Sequence, residues 1–173
     1  MDVLIVVDMQ NDFVSGPLGT KEAVDIVPYV VGRVVDGVNR GETILFTRDT
    51  HEERYLETQE GRRLPVPHCI RGTGGWEIIP QLTEYTLGRT IVDKPAFGSA
   101  ELGVLLKELE EPIRKITLIG LCTDICVISN ALLVKAFLPE VPVAVEAGCC
   151  AGVTPESHAN ALAAMRACQI AVE

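Results

Sequence analysis

Residues Thr117–Ala131 read TLIGLCTDICVISNA. The stretch opens as an apolar, buried strand, breaks at Gly120, passes the polar pair Thr123–Asp124 and then turns helical. Cys126 falls in the expected first helical turn. Unpaired amides and the positive end of the helix dipole gather there and favour an anion. A cysteine so placed is a candidate thiolate, its pKa drawn down by the local field. It is also a candidate core residue, because a free cysteine packs as a small hydrophobe. The stretch alone leaves both readings open.

The flanks repeat the strand–turn–helix unit. Asp2–Asp8, DVLIVVD, is a continuous apolar, β-branched run, the mark of a central strand covered on both faces. Thr20 is placed to cap a helix in which Val24, Val27, Val31, Val34/Val35 and Val38 recur at helical spacing. Pro28 is expected to kink that helix or sit in an early turn, and Gly41 to close it. Thr43–Thr47 reads as the second strand and Thr90–Asp93 as the third, with a short helix over Trp76–Leu82 between them. Ser99 can cap a helix carrying Leu102, Leu105, Leu106 and Leu109. Lys115–Ile119, Val141–Glu146 and Gln169–Val172 complete the strands. Thr154 caps the last helix, with Pro155 at its first position, and that helix runs to about Cys168.

This alternation predicts an α/β fold: a single-domain three-layer sandwich, Rossmann-like, with a mostly parallel six-stranded sheet and helices on both faces. The 173 residues are enough for one such domain. Apolar residues make up 47% and aromatics only 5%, so Val, Leu, Ile and Ala must build the core. A net charge of −9 argues against nucleic acid and acidic membrane surfaces as partners. No apolar run is long enough to span a bilayer and Met1 opens straight into a strand, so a cytoplasmic location is the expectation. The six cysteines, at 69, 122, 126, 149, 150 and 168, include no CxxC pair and are expected to be reduced and mostly buried.

In an open parallel sheet, ligands bind beyond the carboxyl ends of the strands, where the strand order reverses. Asp8 ends the first strand, Asp49 and His51 follow the second, Lys94 follows the third, and Thr123, Asp124 and Cys126 follow the fourth. Taken singly, each has an ordinary explanation as a turn, cap or surface residue. Together they put an acid, an amine and a thiol on one edge. The segment RDTHEERYLETQEGRRLPVPHC, residues 48–69, has no core-forming period, and loops of that length are usually functional.

Three ordered motifs, VVDMQNDF at 6–13, VDKPAFGS at 92–99 and GLCTDICV at 120–127, resemble those of the isochorismatase-like cysteine hydrolases, among which the nicotinamidases are the nearest branch. The likeness extends to EAGCCAGVTPESHANAL at 146–162. It implies a catalytic triad of Asp8, Lys94 and Cys126 and a non-proline cis peptide at Leu121–Cys122. It also implies a divalent metal, zinc or else Fe or Mn, held by Asp49, His51 and His68. The activity it implies is cysteine-dependent hydrolysis of nicotinamide to nicotinate and ammonia through a thioester, in a dimer or tetramer. Relatives of this branch can carry a tryptophan shortly before the PHC motif. The matching stretch here, LPVPH, has no aromatic, so Phe13 and Phe97 are the expected ring walls, with Cys122 beside them. The alternatives are the same chemistry on another small amide, a carbamoyl or ureido compound, or a non-catalytic ligand-binding member of the fold. His158 is expected to be structural or at the surface.

Overall fold

The computed structural model describes residues 1–173. The elements in chain order are β1 (Asp2–Val7), α1 (Asn11–Val14), α2 (Lys21–Asn39), β2 (Thr43–Asp49), α3 (Gln59–Arg63), α4 (Pro80–Thr86), β3 (Ile91–Lys94), α5 (Ala100–Glu108), β4 (Lys115–Leu121), α6 (Ile128–Phe137), β5 (Val143–Ala151), α7 (Pro155–Ala167) and β6 (Ala171–Val172). A single six-stranded sheet runs in the order β3-β2-β1-β4-β5-β6. Every pairing in it is parallel, so the expected mostly parallel sheet has no antiparallel edge.

β1 lies in the middle because it can be buried on both sides. Leu4 and Val6 face a core of 20 buried residues shared with α2 and α4, while Val3, Ile5 and Val7 face one of 19 shared with α5, α6 and α7. Each fully buried Val, Leu or Ile is worth about 1.5–3 kcal/mol, so a strand with no polar alternation is most stable between two layers. Strand order reverses between β1 and β4. There Gly120, at φ 115, approaches so closely that a Cβ on it would lie 2.1 Å from the Val7 carbonyl oxygen. Only glycine permits that contact, and it brings the ends of β1 and β4 together.

Several elements depart from the sequence reading. The buried face of α2 is Ala23, Ile26, Val27, Val30, Val34 and Gly37, with Val24 and Val38 exposed. The valine spacing therefore placed the middle of the stripe, at Val27, Val31 and Val34, but not its ends, where Ala23 and Gly37 take the inward positions. Pro28 neither breaks nor ends α2: it lies on the exposed side, where water can satisfy the carbonyl it leaves unpaired. The helix expected at Trp76–Leu82 begins only at Pro80, whose fixed φ suits a first position, while Ile78 bridges Gln10. β5 is longer than Val141–Glu146. Leu118 pairs Val145 but Gly120 pairs Cys150, so Glu146–Cys149 bulge out before the strand rejoins the sheet. No helix is long and apolar enough to cross a membrane.

Candidate active site

Asp8 follows β1 at φ 46, a left-handed conformation that Asp tolerates better than most residues. Its amide donates to Thr47 O (3.3 Å), and the Thr47 hydroxyl donates to Asp8 Oδ1 at 2.6 Å. Lys94, the last residue of β3, reaches under the sheet end. Its Nζ lies 2.6 Å from Asp8 Oδ2, 3.4 Å from Cys126 Sγ and 3.4 Å from Asp49 Oδ1, and donates to Ala96 O at 3.2 Å. Asp8 and Lys94 are completely buried and Cys126 nearly so.

Cys126 sits in a π-helical turn, Thr123–Val127, between β4 and α6. The Leu121–Cys122 peptide is cis. The Cys122 carbonyl accepts from Ile125 and Val127 amides, both at 3.1 Å, while the Cys122 amide donates to no protein acceptor. Asn130, fully buried one turn on, donates to Cys126 O (2.8 Å) and Phe97 O (3.1 Å) and accepts from the Ser99 amide (3.0 Å).

The expected drop in the Cys126 pKa does not occur. Burial pushes the thiol up, the Asp8 carboxylate adds to the rise, and Lys94 only partly offsets them. Burial likewise raises Asp8 against the pull of Lys94. Lys94 is the reverse: burial disfavours its charge, but Asp8, Cys126 and Asp49 outweigh that and hold it protonated. Desolvation, the largest cause, thus favours the protonated thiol beside the Lys94 ammonium.

Beside it, ligand atoms of Asp49, His51, Glu60 and His68 all lie within 4.8 Å of one another. His68 Nδ1 donates to Val66 O at 2.8 Å, so Nε2 is the nitrogen that faces the cluster. His51 Nε2 lies 3.0 Å from Asp49 Oδ2 and 3.5 Å from Glu60 Oε1 but is aligned for a hydrogen bond with neither, a buried nitrogen without a partner. Two imidazoles and two carboxylates converging on one point fit a divalent cation such as zinc, Fe or Mn. Burial would raise Asp49, but His51, His68 and Lys94 outweigh it and hold the carboxyl well below its usual range. Tyr55 backs both imidazoles, at 4.7 Å from His51 and 5.0 Å from His68, and its hydroxyl donates to Leu64 O at 2.8 Å.

The long polar segment is folded by side chains of the first motif. Gln10 donates to Asp49 O and Trp76 O and accepts from the Asp49 amide, each at 2.8 Å. Asp12 accepts from the Cys69 amide at 2.7 Å, and His51 and Cys69 pair through their backbones. The two histidines are therefore fixed from the segment that follows β1, far away in sequence.

A cavity of about 370 Å³ opens over both centres. Phe13, Asp49, His68, Phe97, Cys122 and Cys126 line it, with Glu60 and Arg63 from the α3 side. Phe13 lies 5.6 Å from His68, and Phe97, 44% exposed, stands at the mouth. All nine residues singled out from the sequence thus meet at one place. Glu60 and Tyr55 were missed. Both lie in the 48–69 segment, where only the Asp-x-His pair and His68 stood out.

The isochorismatase domain model matches residues 2–173. The chain belongs to the isochorismatase family. It is 30% identical over 171 residues to the isochorismatase family protein PncA of Bacillus subtilis, covering 92% of this chain and 91% of that one. The crystal structure of nicotinamidase/pyrazinamidase PncA from Bacillus subtilis superposes with a TM-score of 0.86 at 25% identity over 99% of each chain. The pyrazinamidase of Pyrococcus horikoshii in complex with zinc superposes with a TM-score of 0.82 at 28% identity, covering 99% of this chain and 98% of that one. The family assignment accounts for the parallel order of the sheet and for three motifs that lie far apart in the chain yet meet at the β1–β4 reversal.

Proposed function

We propose that this protein is a cysteine-dependent amidohydrolase, and that nicotinamide is its substrate. The observation that carries the reading is the single ammonium of Lys94, in contact with both Asp8 and the Cys126 thiol under a ligand-sized cavity. The family and its solved nicotinamidase and pyrazinamidase relatives support hydrolysis of a C–N bond.

Asp8 takes the thiol proton and becomes neutral, and the Lys94 ammonium stabilises the thiolate that forms on Cys126. The thiolate attacks the amide carbonyl carbon. The amides of Cys122 and Cys126 receive the developing oxyanion. Asp8 returns the proton to the nitrogen, ammonia leaves and an acyl thioester on Cys126 remains. Water then cleaves the thioester, giving the carboxylic acid and the free thiol. Asp49, His51, Glu60 and His68 would hold the divalent metal, which supplies a Lewis-acidic position beside the cavity. Phe13 and Phe97 are the aromatic walls the cavity offers a planar ring.

A second reading, the same chemistry on a carbamoyl, ureido or other small amide, is favoured by the Leu64–Pro67 stretch, which brings no aromatic ring to the wall. Purified, metal-loaded protein should release ammonia from nicotinamide and form nicotinate in equal amount. Ammonia from another amide but not from nicotinamide would favour the second reading. Full metal occupancy with no ammonia from any of a panel of amides would sink the hydrolase reading.

A further inference from the structure

The turn that carries Cys126 is held from outside as well as from within. Its first residue, Thr123, is completely buried, and its hydroxyl lies 2.8 Å from His158 Nδ1. Its second, Asp124, accepts from the Val153 amide at 3.1 Å. Val153 and His158 belong to one structure, the entry to α7, which is set by a capping box between Thr154 and Ser157. Both residues just ahead of the cavity-lining Ile125 and Cys126 are thus tied to α7.

His158 is half-buried and has two sides. One faces Thr123. The other faces a second cavity of about 250 Å³, lined by Glu22, Ile26, Cys150, Gly152 and Pro155 among others. Burial lowers the pKa of His158, with Asp124 opposing, so the neutral ring is favoured and its Nδ1 can accept a hydrogen bond from the Thr123 hydroxyl. The position is not free to drift, because a Cβ on Gly152 would lie 2.9 Å from the His158 backbone nitrogen.

We infer that His158 is a positioning residue for the hydrolysis: through Thr123 it fixes the π-helical turn so that the Cys126 sulfur stays beside Lys94 and the Cys122 and Cys126 amides stay aimed at the carbonyl oxygen. It touches no substrate. Without it the turn keeps Asn130 and Val153 as anchors, so the fold persists while the geometry of attack loosens. An error of about 1 Å in such geometry costs up to about 10²-fold in rate.

The inference rests on Cys126 being the nucleophile, so the test has two readouts on metal-loaded protein. The first is kcat and KM. His158→Leu, which fills the space without a hydrogen bond, should lower kcat about tenfold and leave KM within about twofold, consistent with one lost hydrogen bond. His158→Asn, which can still bond Thr123, should keep most of the rate. Imidazole in solution should raise kcat of His158→Ala, since the second cavity leaves room for the ring. The second readout is alkylation of Cys126 by iodoacetamide, located by mass spectrometry, which needs no substrate. It should slow in Leu and recover in Asn even if nicotinamide proves to be the wrong amide. Equal kcat and equal alkylation in the Leu and Asn variants would overturn the inference, as would rate losses that follow only a common fall in melting temperature.

Discussion

Lys94 Nζ lies 2.6 Å from Asp8 Oδ2, and neither side chain is reached by solvent. Removing one member of a buried ion pair leaves the other charge uncompensated. Lys94→Met is therefore expected to cost about 3–5 kcal/mol of stability, measured by denaturant unfolding. It should also lower kcat by about 10²–10³-fold, the loss typical of one group that stabilises transition-state charge. A variant as stable as the parent would show that the pair does not matter.

The two cysteines of the turn should separate cleanly. Cys126→Ala is expected to abolish turnover, a fall of about 10⁴-fold or more. Cys122→Ala should keep substantial activity, because only the Cys122 backbone amide has a role in the mechanism. An inactive Cys122→Ala beside an active Cys126→Ala would assign the wrong sulfur.

In the proposed mechanism Asp8 works as its carboxylate, which exists above its pKa, and burial moves that pKa upward. As pH falls, kcat/KM should therefore drop through a value above the ordinary aspartate range. The stability sign is opposite. A raised acid pKa means that the folded state binds the proton more tightly than the unfolded chain, so protonating Asp8 does not itself favour unfolding. Activity should be lost in acid at a pH where circular dichroism still reports folded protein. Loss of activity only together with unfolding would contradict the assignment.

Glu60 brings a carboxylate oxygen to the cluster with His51 and His68 from α3, and Asp49 brings another from β2. Glu60→Gln should weaken metal binding by at least the ~10–100-fold that even outer partners of a metal are worth. Metal titration with calorimetry would measure it. His68→Ala should lose the ion outright, and a chelator should remove it from the parent. Unchanged affinity in Glu60→Gln would leave Glu60 as a bystander.

Gly120→Ala tests the strand reversal. Its Cβ would collide with the Val7 carbonyl, and φ 115 is closed to alanine without strain. The loss should be about 3 kcal/mol or more, seen as a fall in thermal midpoint. Near-normal stability would mean that the β1–β4 contact can relax.

Much of the site could be read from the chain because strand ends are predictable. Once DVLIVVD, TILFT, TIVD and KITLI are recognised as parallel strands, Asp8, Asp49, Lys94 and Cys126 are assigned to one edge by topology. What could not be read is the path of residues 48–79. Its order comes from Gln10, Asn11 and Asp12 bonding loop carbonyls and amides, and such contacts leave no periodicity. Glu60 and Tyr55 stayed hidden for that reason, and the pairing of His158 with Thr123 spans a different pair of elements altogether.

By itself the sequence determined the layer architecture and which polar groups stand at the strand ends. Apolar period and strand-end chemistry are local properties of the chain, and burial of a strand on both faces follows from having no polar alternation. Only the tertiary structure decided the charge state of those groups. Helix-end reasoning made Cys126 a candidate thiolate. The packed site makes it a protonated thiol beside an ammonium, because the cost of removing charge from water depends on everything that surrounds the sulfur.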